Sequence, residues 1–138
     1  MSVFLLDTNT ISEPAKPAPD PKVLRRIEEH AGNIAIASIV WHELWFGVER
    51  LQPGRRRDYL RDYLEEVVNG LAVLPYDWLA ARWHADQRAH LARRGITTPF
   101  VDGQIAAIAA VNEMALVTRN KADFAHFEPL RVVNWFEA

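Results

Sequence analysis

Short apolar runs recur along the chain, each bounded by polar or turn-forming positions. Five of them have the length of strands: Val3-Phe4-Leu5-Leu6, Ile34-Ala35-Ile36-Ala37, Leu71-Ala72-Val73-Leu74, Ala115-Leu116-Val117-Thr118 and Leu130-Arg131-Val132-Val133. Most lack polar alternation, as strands buried on both faces of a parallel sheet do. Helical spacing fills the intervals. It predicts helices from Pro21 to His30, from Ser38 to about Leu51, from Arg55 to Asn69, from 77 to 94 and from Val101 to Glu113. Pro21 suits a first helical turn, Ser38 a cap, and Gly70 and Gly95 helix stops. Pro14, Pro17, Pro19 and Pro21 crowd a stretch that reads as loop or broken short helix. Strands alternating with helices predict an α/β fold. The expectation is a single domain over residues 1–138, with a central parallel sheet of about five short strands flanked by helices.

In such folds the functional groups gather beyond the carboxyl ends of the strands. Asp7 stands there at the end of the first strand, followed by Thr8, Asn9 and Thr10. It can cap the next helix or do chemistry. On the helix from Ser38, Trp41, Leu44, Trp45 and Val48 form one stripe, expected to be the core face. Glu43 lies roughly opposite, between Ile39 and Phe46 at helical spacing, facing a cleft or solvent. Asp102 opens "VDGQIAAIAAV", a helix small or apolar on every side from Ile105 onward and therefore expected to be buried. At that position an acid also favours the helix amino terminus. Asp123, in "TRNKADF", follows the fourth strand.

Three of four predicted strand–helix junctions thus carry an acid at or near the strand end, and the fourth acid begins a buried helix. Converging carboxylates without basic partners repel one another and rise in pKa unless something positive joins them. Mg²⁺ or Mn²⁺, hard cations that prefer oxygen ligands, would serve. A metal so held suits hydrolysis of a phosphodiester.

Composition narrows the field. The chain has 138 residues and 49% hydrophobic positions, enough for a packed core, and no cysteine, which excludes disulfides and thiol chemistry and fits a reducing cytoplasm. No apolar run approaches membrane-spanning length, so no membrane association is expected. The formal charge is −2, with thirteen arginines against three lysines, including Arg55-Arg56-Arg57. Bulk attraction to nucleic acid is thereby excluded, while local phosphate contacts by arginine are not. No serine lies in a nucleophile elbow, and no phosphate loop or dinucleotide glycine pattern occurs. A phosphatase with an aspartyl nucleophile wants a second aspartate two residues after the first, where this chain has Asn9. His30, His42, His84, His90 and His126 show no metal-ligand pairing and are expected at the surface or the edge of the core.

Taken in order, "LLDTNTIS", "ASIVWHELWFG", "VDGQIAAIAA" and "LVTRNKADF" resemble the motifs of the PIN-domain ribonucleases, in particular the VapC/FitB-like toxins of bacterial toxin–antitoxin modules. The resemblance runs from Val3 to the "VVNW" ending. It implies Mg²⁺- or Mn²⁺-dependent endonuclease activity on RNA. By position, Asp7, Glu43 and Asp102 match the family's three metal-holding acids and Asp123 the more variable fourth. Asn9 and Thr118, with Asn120 as a further candidate, match polar positions that orient those acids. The resemblance also implies a homodimer and a cognate antitoxin whose tail enters the active-site groove, operator DNA being bound only through the antitoxin. Two alternatives stay open on sequence grounds. One is a non-catalytic RNA- or partner-binding module of the same fold; the other is a metal-dependent DNase.

Overall fold

A computed structural model describes residues 3–137. Its centre is a five-stranded, wholly parallel sheet in the order β3-β2-β1-β4-β5. The strands are β1 (Phe4–Leu6), β2 (Ile34–Ala37), β3 (Ala72–Leu74), β4 (Ala115–Val117) and β5 (Val132–Val133). Every residue of β2 and β4 is buried, which is why their sequences are apolar without alternation. In β1, Leu5 pairs with Ala35 on one side and Leu116 on the other. The edge strands β3 and β5 are less buried, and Arg131, expected in the last strand, lies outside it.

Among the described residues six helices connect and cover the sheet: α1 (Thr8–Ser12), α2 (Pro21–Glu29), α3 (Ser38–Glu49), α4 (Arg55–Glu66), α5 (Trp78–Arg93) and α6 (Phe100–Val111). Asp20 caps α2 through the Lys22 N–H, with Pro21 in the first turn, and Asp77 caps α5 through the Ala80 N–H. At the end of α5, Gly95 takes φ +72°, a conformation other residues adopt at a cost. The Glu49 carboxylate accepts two hydrogen bonds from the Arg61 guanidinium, at 2.7 and 2.8 Å, tying α3 to α4.

Several expectations need correction. Ser38 is the first helical residue of α3 and makes no capping hydrogen bond; Ala37 holds the cap position. The buried stripe of α3 is Val40, Leu44 and Val48, so the core face is centred one residue away from the expected one. Trp41 and Trp45 flank that stripe, half-buried and edge-to-face at 5.7 Å. α4 ends at Glu66 and passes into a 3₁₀ turn at Val68–Gly70. α1, which the polar run Thr8-Asn9-Thr10 concealed, is followed by a 3₁₀ turn at Glu13–Ala15.

α6 is the most enclosed helix. Gly103, Ile105, Ala106, Ala107, Ile108 and Ala109 are all buried, and the small side chains let α5 and the sheet approach closely. Among the described residues no helix is long and apolar enough to cross a membrane.

Candidate active site

The strand order turns back at β1, with β2 and β3 to one side and β4 and β5 to the other. Open parallel sheets bind ligands in the crevice at that reversal, beyond the strand ends. Asp7 follows β1 directly and Thr118 follows β4 directly, so the two meet across the crevice mouth. The Thr118 hydroxyl donates to Asp7 Oδ2 at 2.6 Å. On the other oxygen, Asp7 Oδ1 accepts from the Thr10 N–H at 3.0 Å and from the Thr10 hydroxyl at 2.8 Å. Asp7 is therefore the cap of α1 as well as a buried acid aimed at the crevice. Three donors hold a carboxylate that has no cationic partner, and burial of such a charge requires them.

The other acids arrive from different elements. Glu43 projects from α3, and its Oε2 accepts a hydrogen bond from the Thr8 hydroxyl at 2.7 Å. Asp102 lies in the first turn of α6, which starts after Pro99. Asp123 sits in an exposed 3₁₀ turn, Lys121–Phe124, just beyond β4, where its N–H donates to the Asn120 carbonyl oxygen. The Asp102 carboxyl is pushed above the ordinary aspartate range, first by burial and then by the negative charges of Asp123, Glu43 and Asp7. The α6 amino terminus favours a charged Asp102, yet burial and three like charges outweigh it. Among the described residues none of the four acids forms a salt bridge.

The structure thus brings Asp123, Glu43 and Asp7 within electrostatic reach of Asp102. Thr118 sits where the sequence pattern has an orienting residue. Asn120 reaches the site through its main chain, its N–H donating to the Thr118 hydroxyl oxygen at 3.1 Å. Asn9 does not join them: it is exposed, and its side chain makes no hydrogen bond among the described residues. Thr8 and Thr10, on either side of it, hold the acids instead. The signal for Thr10 was its place three residues after a capping aspartate, where the N–H that the cap accepts from is found.

A groove of about 390 Å³ opens beside Glu43. Thr8 and Glu43 stand at its rim, Leu44, Val48 and Leu60 are among the residues lining it, and Lys16, Arg50 and Arg56 also border it. Phe46 is 60% exposed nearby on α3, with the Arg50 guanidinium 5.6 Å from its ring centre. One histidine departs from expectation. His84 is buried in full, and burial, then the charge of Arg88, lowers its pKa.

The donor set is all carboxylate oxygen, which fits Mg²⁺ or Mn²⁺ and not a soft metal. Among the described residues no three acidic or histidine side chains form a ready-made cage. Mg²⁺ does not need one, because it keeps several waters and takes only one or two carboxylates directly.

Comparison with known proteins identifies the family of the fold. The PIN domain profile matches residues 4–128. Toxin FitB of Neisseria gonorrhoeae is 32% identical over 136 residues, covering 92% of this chain and 98% of that protein. The tRNA(fMet)-specific endonuclease VapC of Salmonella typhimurium is also 32% identical over 136 residues, covering 98% and 99%. The solved structure of DNA-bound VapBC from Salmonella typhimurium superimposes with a TM-score of 0.83 at 31% identity, over 98% of this chain and 99% of the matched one.

Proposed function

The chain belongs to the PIN domain family, and from that membership we propose that it is a divalent-metal-dependent endoribonuclease acting as the toxin of a toxin–antitoxin pair. The observation that carries the proposal is the set of four unpaired carboxylates, from four separate elements, at the reversal point of the parallel sheet. Like charges gathered around a buried Asp7 and a half-buried Asp102 call for a counter-charge.

Asp7, Glu43 and Asp102 are assigned to hold the cation, Mg²⁺ or Mn²⁺, with Asp123 completing the set. When bound, the cation supplies positive charge for the scissile phosphodiester and a means of ionising water near neutral pH. The chain's own residues supply the rigidity that such chemistry needs. Thr10 and Thr118 fix both oxygens of Asp7, so the carboxylate cannot turn from the crevice. Thr8 restrains the longer Glu43 side chain. Asp102 is carried on the most enclosed helix of the fold.

The substrate is RNA, and tRNA is the class to test first, since relatives of this chain include enzymes named for cleavage of tRNA(fMet). The antitoxin tail is assigned to the groove beside Glu43, whose apolar lining and basic border suit a peptide with apolar and acidic side chains. Assembly as a homodimer, operator DNA binding through the antitoxin and a cytoplasmic location complete the reading. Solved structures of VapBC and FitAB bound to DNA support the partner and the DNA link.

The test is cleavage of total tRNA by the purified chain in Mg²⁺ or Mn²⁺. Discrete fragments are expected, absent with a chelator and absent with Asp102→Asn. Undiminished cleavage by Asp102→Asn would reject the assignment.

A further inference from the structure

His84 and Gly103 occupy each other's space. A Cβ built on Gly103 would lie 2.2 Å from His84 Nε2, 2.6 Å from its Cδ2 and 3.0 Å from its Cε1. Every other described glycine has open space at that position, including Gly47 inside α3. Glycine is a poor residue for a helix interior, and the other buried positions of α6 are all alanine or isoleucine. The absent methyl group is therefore explained by the imidazole that fills its place.

The ring itself has little freedom. His84 is 1% exposed, its Nδ1 is 2.8 Å from the Tyr76 hydroxyl, and the Phe100 ring packs on it at 4.8 Å between centres. Nε2 is buried and has no hydrogen-bond partner among the described residues, pressed instead against the α6 backbone. Phe100 and Gly103, three apart, are neighbours on one helix face. His84 thus touches the first turn of α6 at two points, and Asp102 lies between them in sequence.

We propose that His84 is a positioning residue, its ring seated in the Cβ place of Gly103 so as to fix the first turn of α6 and hold Asp102 among the other three acids. The inference rests on the reading of those acids as a metal site. It makes the histidine and the glycine a matched pair, large on α5 and minimal on α6.

The test is Mn²⁺ affinity of the purified full chain, read from the free-ion paramagnetic signal, with urea denaturation alongside. Gly103→Ala is expected to weaken Mn²⁺ binding at least tenfold. His84→Ala by itself is expected to weaken it too, because the turn loses its support. In the double variant the new methyl enters the vacated space, and affinity should return to within about threefold of the native chain. Val68→Ala, in the core at the far edge of the sheet, should lose stability and keep its Mn²⁺ affinity. Unchanged binding in Gly103→Ala, or a double variant no better than the singles, would overturn the proposal. Should Gly103→Ala fail to fold, His84→Ala against the double variant decides by the same criterion. A native chain with no Asp102-dependent Mn²⁺ binding would instead reject the metal site, and this inference with it.

Discussion

Replacing Thr118 by valine removes one hydroxyl and almost no volume. Two hydrogen bonds end with it: the one donated to Asp7 Oδ2 at 2.6 Å and the one accepted from the Asn120 N–H at 3.1 Å. The second lies near the surface, where water replaces it. The first does not recover so easily, since Asp7 is only 8% exposed and Thr118 not at all. A hydrogen bond to a charged group contributes about 1.5–3 kcal/mol, and the upper half of that range applies when the vacated oxygen stays dry. A loss of about 2–3 kcal/mol follows, or about 6–15 °C in melting temperature for a chain of this size. Thr118→Ser keeps the hydroxyl and gives up a methyl group, for about 1 kcal/mol. Urea denaturation in chelator, with both variants beside the native chain, measures these differences free of metal binding. A Thr118→Val variant within about 0.5 kcal/mol of the native chain would refute the reasoning, because the Asp7 carboxylate would then not depend on that donor.

Asp102→Asn should leave the metal-free chain at least as stable as the native one at pH 7. Its folded-state pKa lies above the unfolded value, so the native carboxyl lowers stability as pH rises through that window; denaturation from pH 3 to 8 in chelator should show the two chains converging at the acid end. Tyr63 donates to the Ile11 carbonyl oxygen at 2.6 Å, and burial, then Tyr59, pushes its phenol up to about 12. A rapid alkaline jump read by ultraviolet absorbance should show a hydroxyl ionising there, absent from Tyr63→Phe, which loses about 1 kcal/mol. Phe46→Ala should cost less than about 1 kcal/mol, because the ring is mostly exposed, and should weaken self-association or antitoxin binding in light scattering. A large stability loss with unchanged assembly would refute this reading of Phe46.

The central strands were legible because burial on both faces leaves no room for polar residues, and β2 and β4 are apolar throughout. α6 was legible for a similar reason, small side chains marking a helix enclosed on all sides. α1 was not. Thr8, Asn9 and Thr10 are weak helix formers, and the helix depends on the Asp7 cap and on contacts with α3 that no local pattern records. Asp7 and Asp123 drew notice because they follow strands and Asp102 because it begins a helix, whereas Glu43, inside α3, stood out by its place off the apolar stripe. Their supports were harder: a hydroxyl in a polar run does not reveal which way it points, so the hydrogen bonds of Thr8 and Thr10 to the acids went unread. His84 was misjudged because a lone histidine carries no sign of burial, and the evidence for it lay in Gly103, nineteen residues on.

The central claim is that these carboxylates serve the cutting of RNA, and mapping new RNA 5′ ends in cells after brief induction tests it most directly. The native chain and Asp102→Asn would be compared at equal expression. Discrete new ends with the native chain and none with Asp102→Asn are predicted. The same ends from both chains would contradict the account.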